Sequence, residues 1–115
     1  MDLVVGALAD PVRRGILELV RQRRLSAGEI AAHFEISRPA VSRHLRVLRE
    51  SGLVRDELAG RQRFYVLDPQ GFADLTAWLA RMTAPPPWQQ RLDALETEVH
   101  RTRRARGLSG KENTA

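Results

Sequence analysis

The chain has 115 residues, of which 43% are hydrophobic and 5% aromatic. This length suits one compact domain, and the hydrophobic fraction is too high for a disordered chain. No apolar run reaches the roughly 20 residues that a membrane helix needs, and the first residues do not resemble a signal peptide. The absence of cysteine excludes disulfides, thiolate metal sites and thiol redox chemistry. We therefore expect a cytoplasmic protein with no membrane partner.

The net charge of +5 is unevenly distributed along the chain. Residues 38–63 carry seven arginines against three acids, whereas residues 64–100 have a net charge of −3. Residues 101–115 hold five basic residues against one acid, and this tail either keeps the chain end soluble or acts as a nonspecific clamp on a polyanion. Positive charge confined to one middle segment and one tail indicates a polyanionic partner.

Two helical patterns fill the first third of the chain. After a short apolar stretch over residues 3–8, Asp10 and Pro11 supply an N-cap and a first-turn proline. Apolar residues then recur at helical spacing over residues 12–20.

The next helix is predicted to open over Leu25–Ile30. Ser26 and Glu29 have the spacing of a capping box, in which each residue satisfies a backbone N–H of the other. This helix is expected to be short, ending near His33 or Phe34.

The third helix is predicted over Ser37–Ser51, with Ser37 as N-cap, Pro39 in the first turn and Gly52 just past the end. Its apolar residues form one narrow stripe, which consists of Val41, Leu45 and Leu48. The opposite side of the helix carries Pro39, Ser42, Arg43, Arg46 and Glu50.

A hairpin is predicted next, with strands over Leu53–Leu58 and Phe64–Leu67 around Ala59 and Gly60. Arg61 and Arg63 follow its tip. These two arginines either contact phosphates or simply keep an exposed hairpin soluble.

Two further helices are predicted after the hairpin. The first starts at Asp68 and Pro69 and has apolar residues at Phe72, Leu75, Leu79 and Met82, before residues 84–87 end it. The second repeats apolar residues at Trp88, Leu92, Leu95 and Val99, a spacing typical of a helix–helix seam. This seam is either a dimer contact or packing within one chain, and residues from 107 onward are expected to form a flexible tail.

The order of these elements is that of a winged helix-turn-helix within a mainly α fold that has a small β-hairpin. The narrow buried stripe anchors the third helix and leaves its other side free for a DNA groove. Small residues there permit close approach, and arginine can bond bidentately to guanine. His44 lies at the edge of the stripe, where it packs within the chain, bonds to phosphate or reads a base. Arg38 either reads a base, caps the helix or contacts phosphate.

Three segments resemble the arsenical-resistance-type (ArsR) family of repressors. They are the opening Ala7–Leu17, the segment Ile36–Val54, which resembles that family's recognition segment, and Gly60–Leu67, which resembles its wing. The similarity extends over roughly residues 3–82. Trp88–Glu96 is similar to the tail of the family's metal-independent branch, which includes autorepressors.

The resemblance implies a homodimer that pairs through its terminal helices and leaves operator DNA on some signal. It also implies that Arg38, Pro39, Ser42 and Arg43 occupy the base-reading positions. Family members that sense metals use cysteine pairs, or histidines and carboxylates after the wing. The chain has no cysteine, and His33 and His100 are isolated, so we predict no metal site and no cofactor. The set Asp93, Glu96 and His100 would at best bind a metal weakly.

We therefore predict a sequence-specific DNA-binding regulator, a homodimeric repressor at an operator near its own gene. Its release from DNA is driven by an unknown small molecule, by a protein effector or by concentration alone. Residues 1–82 are assigned to DNA binding, 83–106 to dimerisation or packing and 107–115 to the tail. The predicted DNA-binding residues are Ser37, Arg38, Pro39, Ala40, Ser42, Arg43, His44, Arg46, Arg61 and Arg63. The predicted dimerisation residues are Leu3, Val4, Ala7, Leu8, Leu75, Leu79, Trp88, Leu92, Leu95 and Val99.

The main alternative is a winged-helix module that docks an acidic partner protein on the same face. Catalysis is not predicted, because the sequence has neither a phosphate-binding loop nor a nucleophile-turn motif.

Overall fold

The computed structural model describes residues 1–95. Met1–Leu79 forms one compact unit, and the described residues from Ala80 onward belong to a second. The elements in chain order are α1 (Asp2–Leu8), α2 (Pro11–Gln22), β1 (Leu25–Ser26), α3 (Ala27–Ala31), α4 (Arg38–Glu50), β2 (Val54–Ala59), β3 (Gln62–Leu67), a 3-10 turn (Pro69–Phe72), α5 (Ala73–Thr83) and α6 (Pro87–Leu95). The predicted fold class, mainly helical with a small hairpin, is confirmed.

The start of α2 is fixed by its first residues, as predicted. The Asp10 Oδ1 atom accepts hydrogen bonds from the backbone N–H groups of Val12 at 2.8 Å and Arg13 at 3.2 Å. Pro11 occupies the first helical turn, where its missing N–H leaves no hydrogen bond unmade.

The capping box at α3 is confirmed. Ser26 Oγ accepts a hydrogen bond from the Glu29 N–H at 3.2 Å, and the Ser26 N–H donates to Glu29 Oε1 at 2.9 Å. The hydrogen bond from the Ser26 backbone lowers the pKa of Glu29 below its ordinary value. The helix ends at Ala31, earlier than predicted, because the next residues continue as a turn in which His33 N–H bonds to Ile30 O.

The sheet has three antiparallel strands in the order β1–β3–β2. The prediction was wrong at β1, where Leu25 and Ser26 were assigned to the opening of a helix. Instead, Leu25 pairs with Tyr65 and Ser26 with Phe64, along the edge of β3 that the hairpin leaves open. A strand of two residues has no alternating pattern that a sequence could display.

The hairpin formed by β2 and β3 is longer at its tip than predicted. Its ladder runs from the pair Val54–Leu67 to the pair Ala59–Gln62, so that Gly60 and Arg61 alone form the turn. Gly60 has φ 64°, and a two-residue hairpin turn requires such positive φ values, which glycine tolerates best.

Gly52 ends α4 in the predicted position after the helix. Its φ is 80°, and the Gly52 N–H bonds to Arg49 O at 3.1 Å while the Leu53 N–H bonds to Leu48 O at 3.0 Å. This pair of hydrogen bonds is a Schellman motif, which satisfies the last carbonyls of the helix. It sends the chain directly from α4 into β2.

One apolar core joins the helices to the base of the hairpin. Its buried members are Val4, Ala7, Ile16, Leu17, Val20, Leu25, Ile30, Val41, Leu45, Leu48, Leu53 and Val54. Two predicted dimerisation residues are thereby corrected: Val4 and Ala7 are 7% and 1% exposed within the single chain. The inward face of α1 packs on the chain's own core, and α1 packs against α2 and α4.

The segment after β3 also differs from its prediction. The residues that follow Asp68 form a 3-10 turn, and the α-helix begins only at Ala73. The backbone N–H of Asp68 donates to Leu53 O at 2.9 Å, which brings the turn against the end of α4. A Cβ atom at Gly71 would overlap the Gly52 carbonyl oxygen, so the approach of the two backbones requires glycine.

The Gly71→Ala substitution is therefore expected to lower the free energy of unfolding by about 1–3 kcal/mol, since backbone must move to admit the methyl group. Gly6→Ala is the matched control, because a Cβ atom at Gly6 meets nothing within 4 Å and alanine favours the helix. Urea unfolding followed by circular dichroism measures both changes. Equal stabilities for the two variants would contradict the close backbone packing.

Candidate nucleic-acid interface

The α4 helix is held by a narrow stripe of buried aliphatic side chains. Val41, Leu45 and Leu48 are 0%, 2% and 0% exposed, as the apolar spacing predicts. Ser37 Oγ accepts a hydrogen bond from the Ala40 N–H at 3.3 Å, which fixes the first turn. The helix packs against α1, α2, α3 and β2 through this stripe, which leaves its other side outside the core.

The outer side of α4 presents three exposed arginines, Arg38, Arg43 and Arg46. Within the described part of the chain, none of these three side chains forms a hydrogen bond or an ion pair. Ser42, between them, is also exposed. The helix therefore carries guanidinium groups and small side chains on a surface that nothing in residues 1–95 neutralises.

The Arg13 side chain, on α2, joins α4 to α1. It is 17% exposed, and its Nε and Nη2 atoms donate to the carbonyl oxygens of Ala7 at 2.8 Å and Gly6 at 3.1 Å. Its Nη1 atom lies 3.2 Å from Nδ1 of His44 on α4. Because a guanidinium only donates, Nδ1 accepts, and in the neutral ring Nε2 then bears the proton.

The carboxylate of Asp10 lies beside this contact, with Oδ2 3.9 Å from Arg13 Nη1. Desolvation alone would raise the pKa of Asp10, but the backbone N–H groups of Arg13 and Val12 and the charge of the Arg13 guanidinium lower it below its ordinary value. Asp10 is therefore charged at neutral pH, where it caps α2 and faces Arg13.

The hairpin of β2 and β3 corresponds to the predicted wing, and its two arginines differ in whether they have a carboxylate partner. Arg61 is exposed at the turn, and it has no ion pair among the residues that the structure describes. Arg63 Nε lies 3.3 Å from Oδ2 of Asp56, and the same oxygen is 3.6 Å from Arg49 Nη1 of α4. One carboxylate thus contacts both α4 and the hairpin.

Known proteins are similar to this chain in sequence. The family model described as bacterial regulatory protein, arsR family, matches residues 10–56. The HTH-type transcriptional regulator Rv2034 of Mycobacterium tuberculosis is 49% identical over 80 residues, 70% of this chain and 75% of that protein. The transcriptional repressor SdpR of Bacillus subtilis is 37% identical over 79 residues, 69% of this chain and 88% of that protein.

A solved structure agrees with these matches. The ArsR-like transcriptional regulator from Rhodococcus sp. RHA1 has a TM-score of 0.71 and 29% identity, with coverage of 86% of this chain and 89% of that chain. The chain belongs to the ArsR family. It is therefore a DNA-binding transcriptional regulator with a winged helix-turn-helix, and the family is one of regulators rather than enzymes.

The predicted DNA-binding residues of this ArsR-family regulator all lie on two elements, α4 with its N-cap and the wing. Ser37 Oγ is engaged in capping, and His44 is half-buried and bonded to Arg13. Sequence reasoning missed Arg13 and Asp56, whose contacts link separate elements. The sequence shows Asp56 as one of three acids among the seven arginines of residues 38–63, but it does not show which arginines Asp56 contacts.

Metal-binding and membrane-spanning features are not found in residues 1–95. No three histidine, cysteine or carboxylate side chains group there as a metal site would require. Of the weak ligand set, Glu96 and His100 lie outside the described residues. No helix in the described range is both long and apolar enough to span a membrane.

Replacing Arg13 with lysine is expected to destabilise this ArsR-family regulator by about 1–3 kcal/mol, because an ammonium cannot reach two carbonyls and His44 together. DNA affinity should fall as well, since His44 loses its contact on α4. Arg14→Lys is the control: Arg14 is exposed and donates one hydrogen bond, to Leu8 O at 2.8 Å. Thermal unfolding and DNA titration that show equal effects for both variants would refute the linking role of Arg13.

Proposed function

We propose that the chain is a homodimeric repressor that binds an operator near its own gene through α4 and the wing. The observation that carries this proposal is the outer side of α4, where Arg38, Arg43 and Arg46 are exposed and lack partners among residues 1–95. SdpR, to which the chain is similar, is named a transcriptional repressor, which supports repression rather than activation.

The α4 helix would enter the major groove with its N-terminal half towards the bases. In this arrangement Arg38 and Arg43 read base edges, and Pro39, Ala40 and Ser42 permit close approach. Arginine pairs bidentately with guanine O6 and N7, so each correct contact discriminates by about 1–3 kcal/mol. The groups expected to contact phosphate are Ser37, His44, Arg46, Arg61 and Arg63.

Dimerisation is proposed for the terminal helices, which would place two recognition helices about 34–36 Å apart, one turn of DNA. Residues 1–82 would form the DNA-binding domain, 83–106 the dimerisation segment and 107–115 a tail. Leu3, Trp88, Leu92 and Leu95 are exposed, which favours a contact with a second copy. Leu8 and Leu75 are half-buried, Leu79 is 46% exposed, and Val99 lies outside the described residues.

The chain is assigned to a metal-independent branch of the family, because it contains no cysteine to supply thiolate ligands and no histidine between the wing and His100. Release from DNA would then follow binding of a small molecule or a protein. We place the regulator in the cytoplasm, where its operator lies.

The base-reading role predicts different effects for Arg43→Ala and Arg61→Ala. Arg43→Ala should cost about 1–3 kcal/mol on the operator and much less on scrambled DNA, because the lost contact is to a base. Arg61→Ala should weaken both DNAs alike and reduce the slope of log affinity against log salt by about 0.9, since one phosphate contact is lost.

Footprinting of the region upstream of its own gene supplies the operator for these titrations. Equal losses on both DNAs for Arg43→Ala would argue against base reading. A wild-type protein that ignores DNA sequence and instead captures an acidic protein would favour the interaction-module alternative.

The dimer proposal predicts that Leu3→Glu weakens self-association by roughly tenfold or more, because an unpaired carboxylate would enter an apolar contact. Leu3 is 68% exposed, and Leu58 on the wing is 71% exposed, so Leu58→Glu is a matched control. Sedimentation equilibrium measures both. A dimer that tolerates Leu3→Glu as well as it tolerates the control would show that α1 is not at the interface.

A further inference from the structure

Asp56 is placed between two arginines that come from different elements of the DNA-binding surface. Its Oδ2 atom lies 3.3 Å from Arg63 Nε on β3 and 3.6 Å from Arg49 Nη1 in the last turn of α4. The Asp56 side chain is 30% exposed, whereas those of Arg49 and Arg63 are 42% and 51% exposed. The carboxylate is thus the more enclosed partner of both pairs.

The strand register explains why these groups meet. Asp56 pairs with Tyr65, and Arg63 pairs with Leu58, so Asp56 and Arg63 are diagonal neighbours on one face of the hairpin. A diagonal separation of about 7–8 Å between backbones is within the reach of an arginine side chain. Glu57, one residue further, pairs with Phe64 and lies on the opposite face.

We propose that Asp56 is a built-in competitor of DNA phosphate, a positioning residue that holds Arg49 and Arg63 and lowers the affinity for every DNA sequence. A phosphate that approaches Arg63 also approaches the Asp56 carboxylate. The phosphate and the carboxylate would then be closer together than the screening length of about 8–10 Å, so they would repel each other. Arg61 and Arg46 have no such carboxylate partner in the described residues, so they bind phosphate without this competition.

The proposal rests on the proposed contact of the wing with DNA and extends it. It implies that Arg63, although it lies on the wing, contributes less to affinity than Arg61 does while Asp56 is charged. It also implies that the surface formed by α4 and the wing binds DNA with less than the highest affinity that its arginines could give. A regulator that must leave its operator benefits from this, because electrostatic affinity acts on all sequences and not on the operator alone.

The test is the isosteric substitution Asp56→Asn, titrated against random-sequence DNA over a range of salt concentrations. Affinity should rise roughly threefold to tenfold, the range expected when two half-exposed ion pairs are released. The slope of log affinity against log salt should become steeper by about one unit for each arginine that then binds phosphate. Glu57→Gln makes the same charge change on the opposite face and should leave both values near those of the wild type.

A double-mutant cycle with Arg63→Gln separates this role from a general charge effect. In the wild-type background Arg63→Gln should change the salt slope little, whereas in the Asp56→Asn background it should remove much of the gain. Thermal unfolding of each variant verifies the fold. Weaker binding by Asp56→Asn, an unchanged salt slope, or an equal gain from Glu57→Gln would overturn the proposal.

These measurements use random DNA and therefore do not depend on an operator. A wild-type protein that binds operator and random DNA equally would contradict the proposed operator reading, while the comparison of Asp56→Asn with Glu57→Gln would still decide the role of Asp56.

Discussion

The burial of three aliphatic side chains on one side of α4 is the constraint on which the interface depends. Val41, Leu45 and Leu48 are almost completely removed from solvent, and they hold the helix against four neighbouring elements. A stripe this narrow leaves most of the helix circumference outside the core. The arginines on that circumference are therefore presented by a rigid element rather than by a loop, so their spacing is set by the helix itself.

The arginines of the middle segment divide into two groups that net charge does not distinguish. Arg49, Arg55 and Arg63 have carboxylate partners within the chain, whereas Arg38, Arg43, Arg46 and Arg61 have none in the described residues. The acids that make these pairs, Asp56 and Asp68, lie between the recognition helix and α5 in sequence. Positive potential is consequently concentrated on the outer side of α4 and at the tip of the wing, where a polyanion would meet it first.

Local sequence signals predicted the elements well, and contacts between distant elements account for the errors. The caps at Asp10, Ser26 and Ser37 were found because each involves residues two or three positions apart. The strand β1 exists only because β3 offers an open edge some 40 residues later. Val4 and Ala7 were assigned to a dimer because apolar spacing shows that a face is buried and not which molecule buries it.

The difference between local signals and distant contacts also explains why the role of Arg13 was not predicted, although Arg13 lies in a segment that resembles the ArsR family. On α2 it is one of several arginines. Its importance arises from its partners on two other helices, the carbonyls of Gly6 and Ala7 on α1 and the ring of His44 on α4. Because its guanidinium bonds to the end of α1 and to α4 at once, a displacement of α1 must either carry α4 with it or break these hydrogen bonds. The helix that exposes Leu3 is therefore connected to the helix that exposes Arg43 by the largely buried Arg13 side chain as well as by their direct packing.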